Sequence, residues 1–321
     1  MASPIVKTET RGNVKIYHVR KMMDNAKVAS LKNTFVKRSQ IHTILDHDAD
    51  VYTEDGDLLL KYRKNKLSKK HMSEFYDNVI EFAVIPTSNR GSASGSQKLD
   101  NRSNPKIMTN IIGYFDRLSP RQKFVMKQKG RQTTLAVRET RFMMDYPDKF
   151  KKLVPLVNQI DDYYEKYIPE KYAKQKRKAN QTPFRIGNTA FTTITTNVNF
   201  QTTLHKDAGD DEEGFGNLTV IAHGKYEGGE TCFPQYGVGV NVEPGDVLFM
   251  NVHEWHGNLP IKPIDKDAKR LSIVCYLRTG VWSRTARMTK KQMMEHLKAM
   301  RKTRRLITQA SKPDKKEPVA S

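Results

Sequence analysis

Residues 182–281 read as a sheet without helices. The segment FTTITTNVNFQTTLH (191–205) is dense in Thr, Val, Ile and Phe, side chains that suit a pleated surface. Further short strand candidates follow at 217–223, 231–234, 238–242, 246–251, 256–261 and 271–277. Gly- and Pro-rich breaks separate them (HGKYEGGE, YGVG, EPGD), and no helical stretch intervenes. Closely spaced strands without crossover helices indicate an antiparallel sandwich or barrel, so a jelly-roll core is expected here. Upstream, Phe150, Leu153, Val154, Val157, Ile160 and Tyr164 recur at spacings of three and four, the stripe of an amphipathic helix ending before Pro169. Residues 1–80 mix short helical and strand signals, and residues 87–105, rich in Gly, Ser and Asn, read as a loop. The expected class is α+β in three parts. Residues 1–181 form a mixed helical and strand region that supports the core and a substrate loop. Residues 182–281 form a double-stranded β-helix, and 282–321 a basic helical tail, partly disordered.

Of 321 residues, 37% are hydrophobic, enough for a packed core. No run of about 18 apolar residues occurs, so no membrane-spanning helix is expected. The opening MASPIVKTETRGNVK lacks the apolar stretch of a secretory signal, and Cys232 and Cys275 cannot make a disulfide scaffold. An intracellular monomer is expected, nuclear in a eukaryotic or viral setting, an address that the basic run RKTRR permits. With 56 Lys plus Arg against 35 Asp plus Glu, the formal charge is +21. Six basic residues fall in 61–70, five in 171–178 and twelve in 283–321. Such an excess favours polyanions, above all nucleic acid. Against it stands an acidic knot, Asp207, Asp210, Asp211, Glu212 and Glu213. The last three read as a solvated loop.

The chemistry is suggested by HKDAGD. In extended chain, positions i and i+2 project to one side, so His205 and Asp207 can grip one metal from a strand end. The segment GDVLFMNVHEWHGN supplies a second imidazole, His253 or His256. His256 is preferred because Gly257 and Asn258 suit a chain reversal beside a metal; His253 is the alternative, as a supporting donor. Two His and one carboxylate leave adjacent coordination positions open, as in non-haem Fe(II) oxygenases. Arg270, in KRLSIVCYLR, opens the final strand and can fork onto a carboxylate as Lys cannot.

Together, FTTITTNVNFQTTLHKDAGD, GGETCFPQYGVGVNVEPGDVLFMNVHEWHGN and KRLSIVCYLR resemble the TET/JBP family of Fe(II)- and 2-oxoglutarate-dependent DNA dioxygenases, the J-binding-protein branch more than the ten-eleven-translocation one. The resemblance implies that His205, Asp207 and His256 bind Fe(II), and that Arg270 holds the distal carboxylate of 2-oxoglutarate while O2 takes the remaining site. It further implies that Asp210 contacts the target base and that Tyr276 and Arg278 line its pocket. Asn89 and Arg90 are further substrate candidates. The implied reaction hydroxylates the 5-methyl group of thymine or 5-methylcytosine in double-stranded DNA, on a base flipped out of the stack. Two alternatives share the scaffold: a prolyl or lysyl hydroxylase acting on protein, and a DNA-binding protein with an inactive core.

Overall fold

A computed structural model describes residues 3–87, 91–95, 107–118, 127 and 135–309. The N-terminal region supplies β1 (Ile5–Arg11), β2 (Val14–Val19), β3 (Thr43–Leu45), β4 (Ala49–Thr53) and β5 (Leu58–Arg63). β6 (Met108–Phe115) and β7 (Arg138–Glu139) follow. The strand-rich stretch then gives β8 (Thr193–Val198), β9 (Gly216–His223), β10 (Tyr226–Gly228), β11 (Thr231–Phe233) and β12 (Val238–Val240). It ends with β13 (Val247–Met250), β14 (Gly257–Asn258), β15 (Ile261–Pro263) and β16 (Lys269–Tyr276).

One sheet has the order β1-β2-β4-β5-β13-β9-β16-β8-β6-β7, a second the order β14-β11-β12-β3, and β10 pairs with β15. Antiparallel pairing of β8, β16, β9 and β13, set against β14-β11-β12, makes the expected α+β double-stranded β-helix. The N-terminal strands are built into this core sheet: β5 pairs with β13, and β6 with β8.

The helices are α1 (Asn25–Ser30), α2 (Lys69–Ala83), α3 (Arg141–Asp145), α4 (Pro147–Tyr167), α5 (Pro169–Ala179), α6 (Thr279–Thr285) and α7 (Lys290–Gln309). The stripe of α4 buries Leu153, Leu156, Val157, Ile160 and Tyr164 against Phe75 and Val79 of α2 and the outer face of the sheet. Tyr164 stacks on Phe249 at 5.4 Å. Fully burying side chains of this size stabilises by about 1.5–3 kcal/mol each.

The same packing aims the site. In β16, Leu271, Ile273 and Cys275 face the helices, so Arg270, Ser272, Val274 and Tyr276 turn to the other face, where they line a cavity of about 340 Å³. At ~3.3 Å per residue, Arg270 and Tyr276 stand about 20 Å apart along the strand, at the two ends of that cavity. Among the described residues, no helix is long and apolar enough to cross a membrane.

Candidate active site

Two chain segments meet at one residue pair. The His205 amide donates to the His256 carbonyl and the His256 amide to that of His205, each at 2.9 Å. His205 Nδ1 donates to the Thr203 carbonyl at 2.7 Å, and His256 Nδ1 to the Glu254 carbonyl at 2.9 Å. Each ring therefore carries its proton on Nδ1 and presents the Nε2 lone pair. Both lone pairs converge on Asp207: His205 Nε2 lies 3.3 Å from Oδ1 and His256 Nε2 3.9 Å from Oδ2. The ligand atoms of the three residues lie within 4.8 Å of one another, the one such cluster among the described residues. His253 points elsewhere, with Nε2 3.3 Å from the Asp211 carbonyl.

Burial pushes the His256 imidazole down to about 4; His205 adds to this and Asp207 opposes it. A ring held neutral is ready to donate to a metal. The unfolded chain binds a proton near pH 6.5 that the folded chain refuses until about pH 4. The metal-free protein therefore has full stability above pH 6.5 and loses it as pH falls toward 4, by about 3 kcal/mol from this group. Thermal melts of wild type and His256→Gln across this range check it: the variant's slope is expected to be flatter.

Arg270 is buried at the far end of the cavity. Its backbone is clamped by Asn199, whose Oδ1 accepts from the Arg270 amide at 2.7 Å. Nη2 donates to the Gly229 carbonyl at 3.1 Å, and the guanidinium lies 5.8 Å from the Tyr226 ring centre. Nε has no hydrogen-bond partner among the described residues. A buried cationic donor without an acceptor is costly and calls for an anion. Gly229, at φ +83°, leaves room for it, since a Cβ there would lie 3.0 Å from Nε.

At the other end, Tyr276, Arg278 and Asp210 line the cavity. Arg278 stacks on the Phe115 ring at 4.3 Å and pairs through Nε with the buried Asp116, a partner 162 residues away that sequence reasoning missed. Asp210 and Arg278 face each other across an isolated antiparallel bridge. Between the two ends runs a polar row that the sequence reading also missed. Thr109 Oγ1 donates to Asn197 Oδ1 at 3.0 Å, and Asn197 Nδ2 to Ser272 Oγ at 3.3 Å, across three paired strands. The alternation of KRLSIVCY was its available signal. Asn89 and Arg90 lie outside the described residues.

One expectation is corrected. Asp211 is buried, 2.5 Å from Lys178 Nζ, so it is an internal ion-pair partner rather than part of a solvated loop; Glu213 joins at 2.7 Å. Seven residues of two basic clusters also stand beside carboxylates. Lys61 and Arg63 meet Asp50, Lys64 meets Glu243 and Lys66 meets Asp48. Lys174 meets Glu213 and Lys176 meets Asp161.

The profile of the Tet_JBP family, the oxygenase domain of the 2OGFeDO superfamily, matches residues 124–279. Those residues belong to the Tet_JBP family. The matched span takes in the histidine–carboxylate cluster and both ends of the cavity. The chain is 31% identical over 228 residues to the "Bifunctional helicase and thymine dioxygenase JBP2" of Trypanosoma cruzi (strain CL Brener), covering 71% of this chain and 19% of that protein. It is 28% identical over 256 residues to "Thymine dioxygenase JBP1" of Trypanosoma brucei brucei (strain 927/4 GUTat10.1), covering 77% and 28%. The chain thus spans about a fifth to a quarter of these relatives' length. The solved structure of "NgTET1 in complex with 5mC DNA" aligns with a TM-score of 0.45 at 16% identity, over 89% of this chain and 90% of that one. Oxygenases of the 2OGFeDO superfamily use Fe(II), 2-oxoglutarate and O2. The two imidazoles, one carboxylate and the unpaired Arg270 Nε fit the first two.

Proposed function

We propose that this chain is an Fe(II)- and 2-oxoglutarate-dependent dioxygenase that hydroxylates the 5-methyl group of a pyrimidine in DNA, with thymine, giving 5-hydroxymethyluracil, ahead of 5-methylcytosine. The observation that carries the reading is the unpaired, buried Arg270 Nε sharing one cavity with the cluster of His205, Asp207 and His256. The names of the relatives favour thymine. The charge of +21 favours a polyanion.

In this reading, His205, Asp207 and His256 would hold Fe(II), which would supply a site for the keto acid and O2. Arg270 forks onto the distal carboxylate of 2-oxoglutarate, with Ser272 next on the same strand face. The charges of ferrous iron and Arg270 would match those of Asp207 and the dicarboxylate. When bound with O2, the iron and keto acid supply an oxidant that replaces a methyl C–H bond with C–OH. The chain's part is placement. Tyr276 offers a ring to the flipped base, while Arg278, held by Asp116 and Phe115, and Asp210 offer polar contacts to its edge. Those contacts offset the few kcal/mol that unstacking costs. The chain works as a monomer in the compartment that holds DNA.

The test is to incubate the protein with duplex DNA, Fe(II), ascorbate and 2-oxoglutarate, then digest to nucleosides for mass spectrometry. The expected product is 5-hydroxymethyl-2′-deoxyuridine. Turnover of 2-oxoglutarate on another substrate, with every pyrimidine untouched, would refute the assignment.

A further inference from the structure

We propose that a groove beside α6, built on Trp282, Arg284 and Arg287, binds a phosphodiester segment of the DNA strand that carries the flipped base. The inference rests on the functional reading above and adds a surface to it. Seven basic residues of the clusters at 61–70 and 171–178 stand beside carboxylates, whereas α6 and the start of α7 carry a run of exposed cations. Arg284, Arg287, Lys290 and Lys291 are all exposed, and the last three make no ion pair among the described residues.

The groove has an open volume of about 540 Å³, and its lining includes Gln181, Trp282, Arg284, Arg287 and Gln292. No carboxylate lines it among the described residues. Both glutamines have their acceptor engaged. Gln181 Oε1 accepts from Trp282 Nε1 at 3.0 Å, and Gln292 Oε1 accepts from the Thr289 amide at 2.8 Å and from its hydroxyl at 3.1 Å. Their amide nitrogens are left as donors. A wall of guanidinium and amide N–H groups beside an indole suits an anionic oxygen next to a flat sugar or base.

Its connection to the cavity identifies the ligand. Arg284 Nη1 donates to the Asp116 carbonyl at 2.9 Å, and the Asp116 side chain holds Arg278 at the cavity's substrate end. One residue thus joins the groove to the place where a flipped base would enter, and the phosphates flanking such a base must leave the cavity mouth along some surface. Free inorganic phosphate shares the recognising chemistry, so the experiment separates the two.

Affinity for a labelled duplex is measured against salt for wild type, for Arg284→Gln/Arg287→Gln, and for the control Lys64→Gln/Lys174→Gln, with thermal melts confirming the fold of each. Every phosphate left without its cation lowers the salt slope by about 0.9, so the arginine pair is expected to lower it by about 1.8 and the control to leave it unchanged. An arginine variant with the wild-type slope, while wild type still oxidises DNA, would overturn the groove and leave the enzymatic reading intact. Wild type that neither bound nor oxidised DNA would overturn both. Inorganic phosphate that raised the wild-type melting temperature but not the variant's, without competing with duplex, would make this a small-anion site and also overturn the proposal.

Discussion

Asp207→Ala is expected to abolish pyrimidine oxidation and empty the metal site. Asp207 is the one anion in the cluster, and it spans the two imidazoles at 3.3 Å and 3.9 Å. Removing it leaves two neutral nitrogens to hold a doubly charged ion. Loss of a group that merely supports a ligand commonly costs 10–100-fold in metal affinity, so loss of the ligand itself should exceed about 100-fold. The fold should persist, because the backbone bond from the Asp207 amide to the Val252 carbonyl at 3.0 Å does not involve the side chain. Anaerobic Fe(II) titration and nucleoside mass spectrometry read the two effects separately. Full oxidation by the variant would remove Asp207 from the site.

Arg270→Met should also separate stability from function, through the keto acid rather than the metal. The native guanidinium is buried with Nε unpartnered, and an apolar side chain of similar length removes that burden. The metal-free variant is expected to match wild-type stability to within about 1 kcal/mol. Its response to 2-oxoglutarate should vanish. Charge-assisted hydrogen bonds contribute about 1.5–3 kcal/mol each, so losing a forked pair raises the dissociation constant roughly 10²- to 10⁴-fold. With Mn(II) in place of iron, wild type at a hundredfold excess over its dissociation constant gains about 2.7 kcal/mol, seen as a rise in Tm. The variant should show none, and Arg270→Lys only part of it, because an ammonium is a point charge without the fork. An undiminished rise in Arg270→Met would place the keto acid elsewhere.

The α+β class and the jelly-roll core were legible because local chemistry determines them: Thr- and Val-rich runs, Gly- and Pro-bearing breaks and no helix between. The stripe of α4 and the i, i+2 spacing of His205 and Asp207 were legible for the same reason. What escaped depends on long-range pairing. The parallel matches β2–β4 and β12–β3, and the irregular registers near Ile5 and Val51, leave no local trace. Asp116 finds Arg278 only once β6 lies beside the end of β16. Asp211 looked solvated because its cation, Lys178, is 33 residues earlier on α5. Thr109 and Asn197 read as ordinary strand polar residues until register lined them up with Ser272.

Peptide carbonyls aim both rings of the candidate metal centre, Thr203 for His205 and Glu254 for His256. Main-chain acceptors survive any substitution that keeps the local backbone. The cavity walls on β6, β8 and β16 are therefore free to drift in shape and polarity without turning either imidazole. A lineage starting from this scaffold can exchange one substrate for another by changing wall residues, while inheriting the reactive centre unaltered.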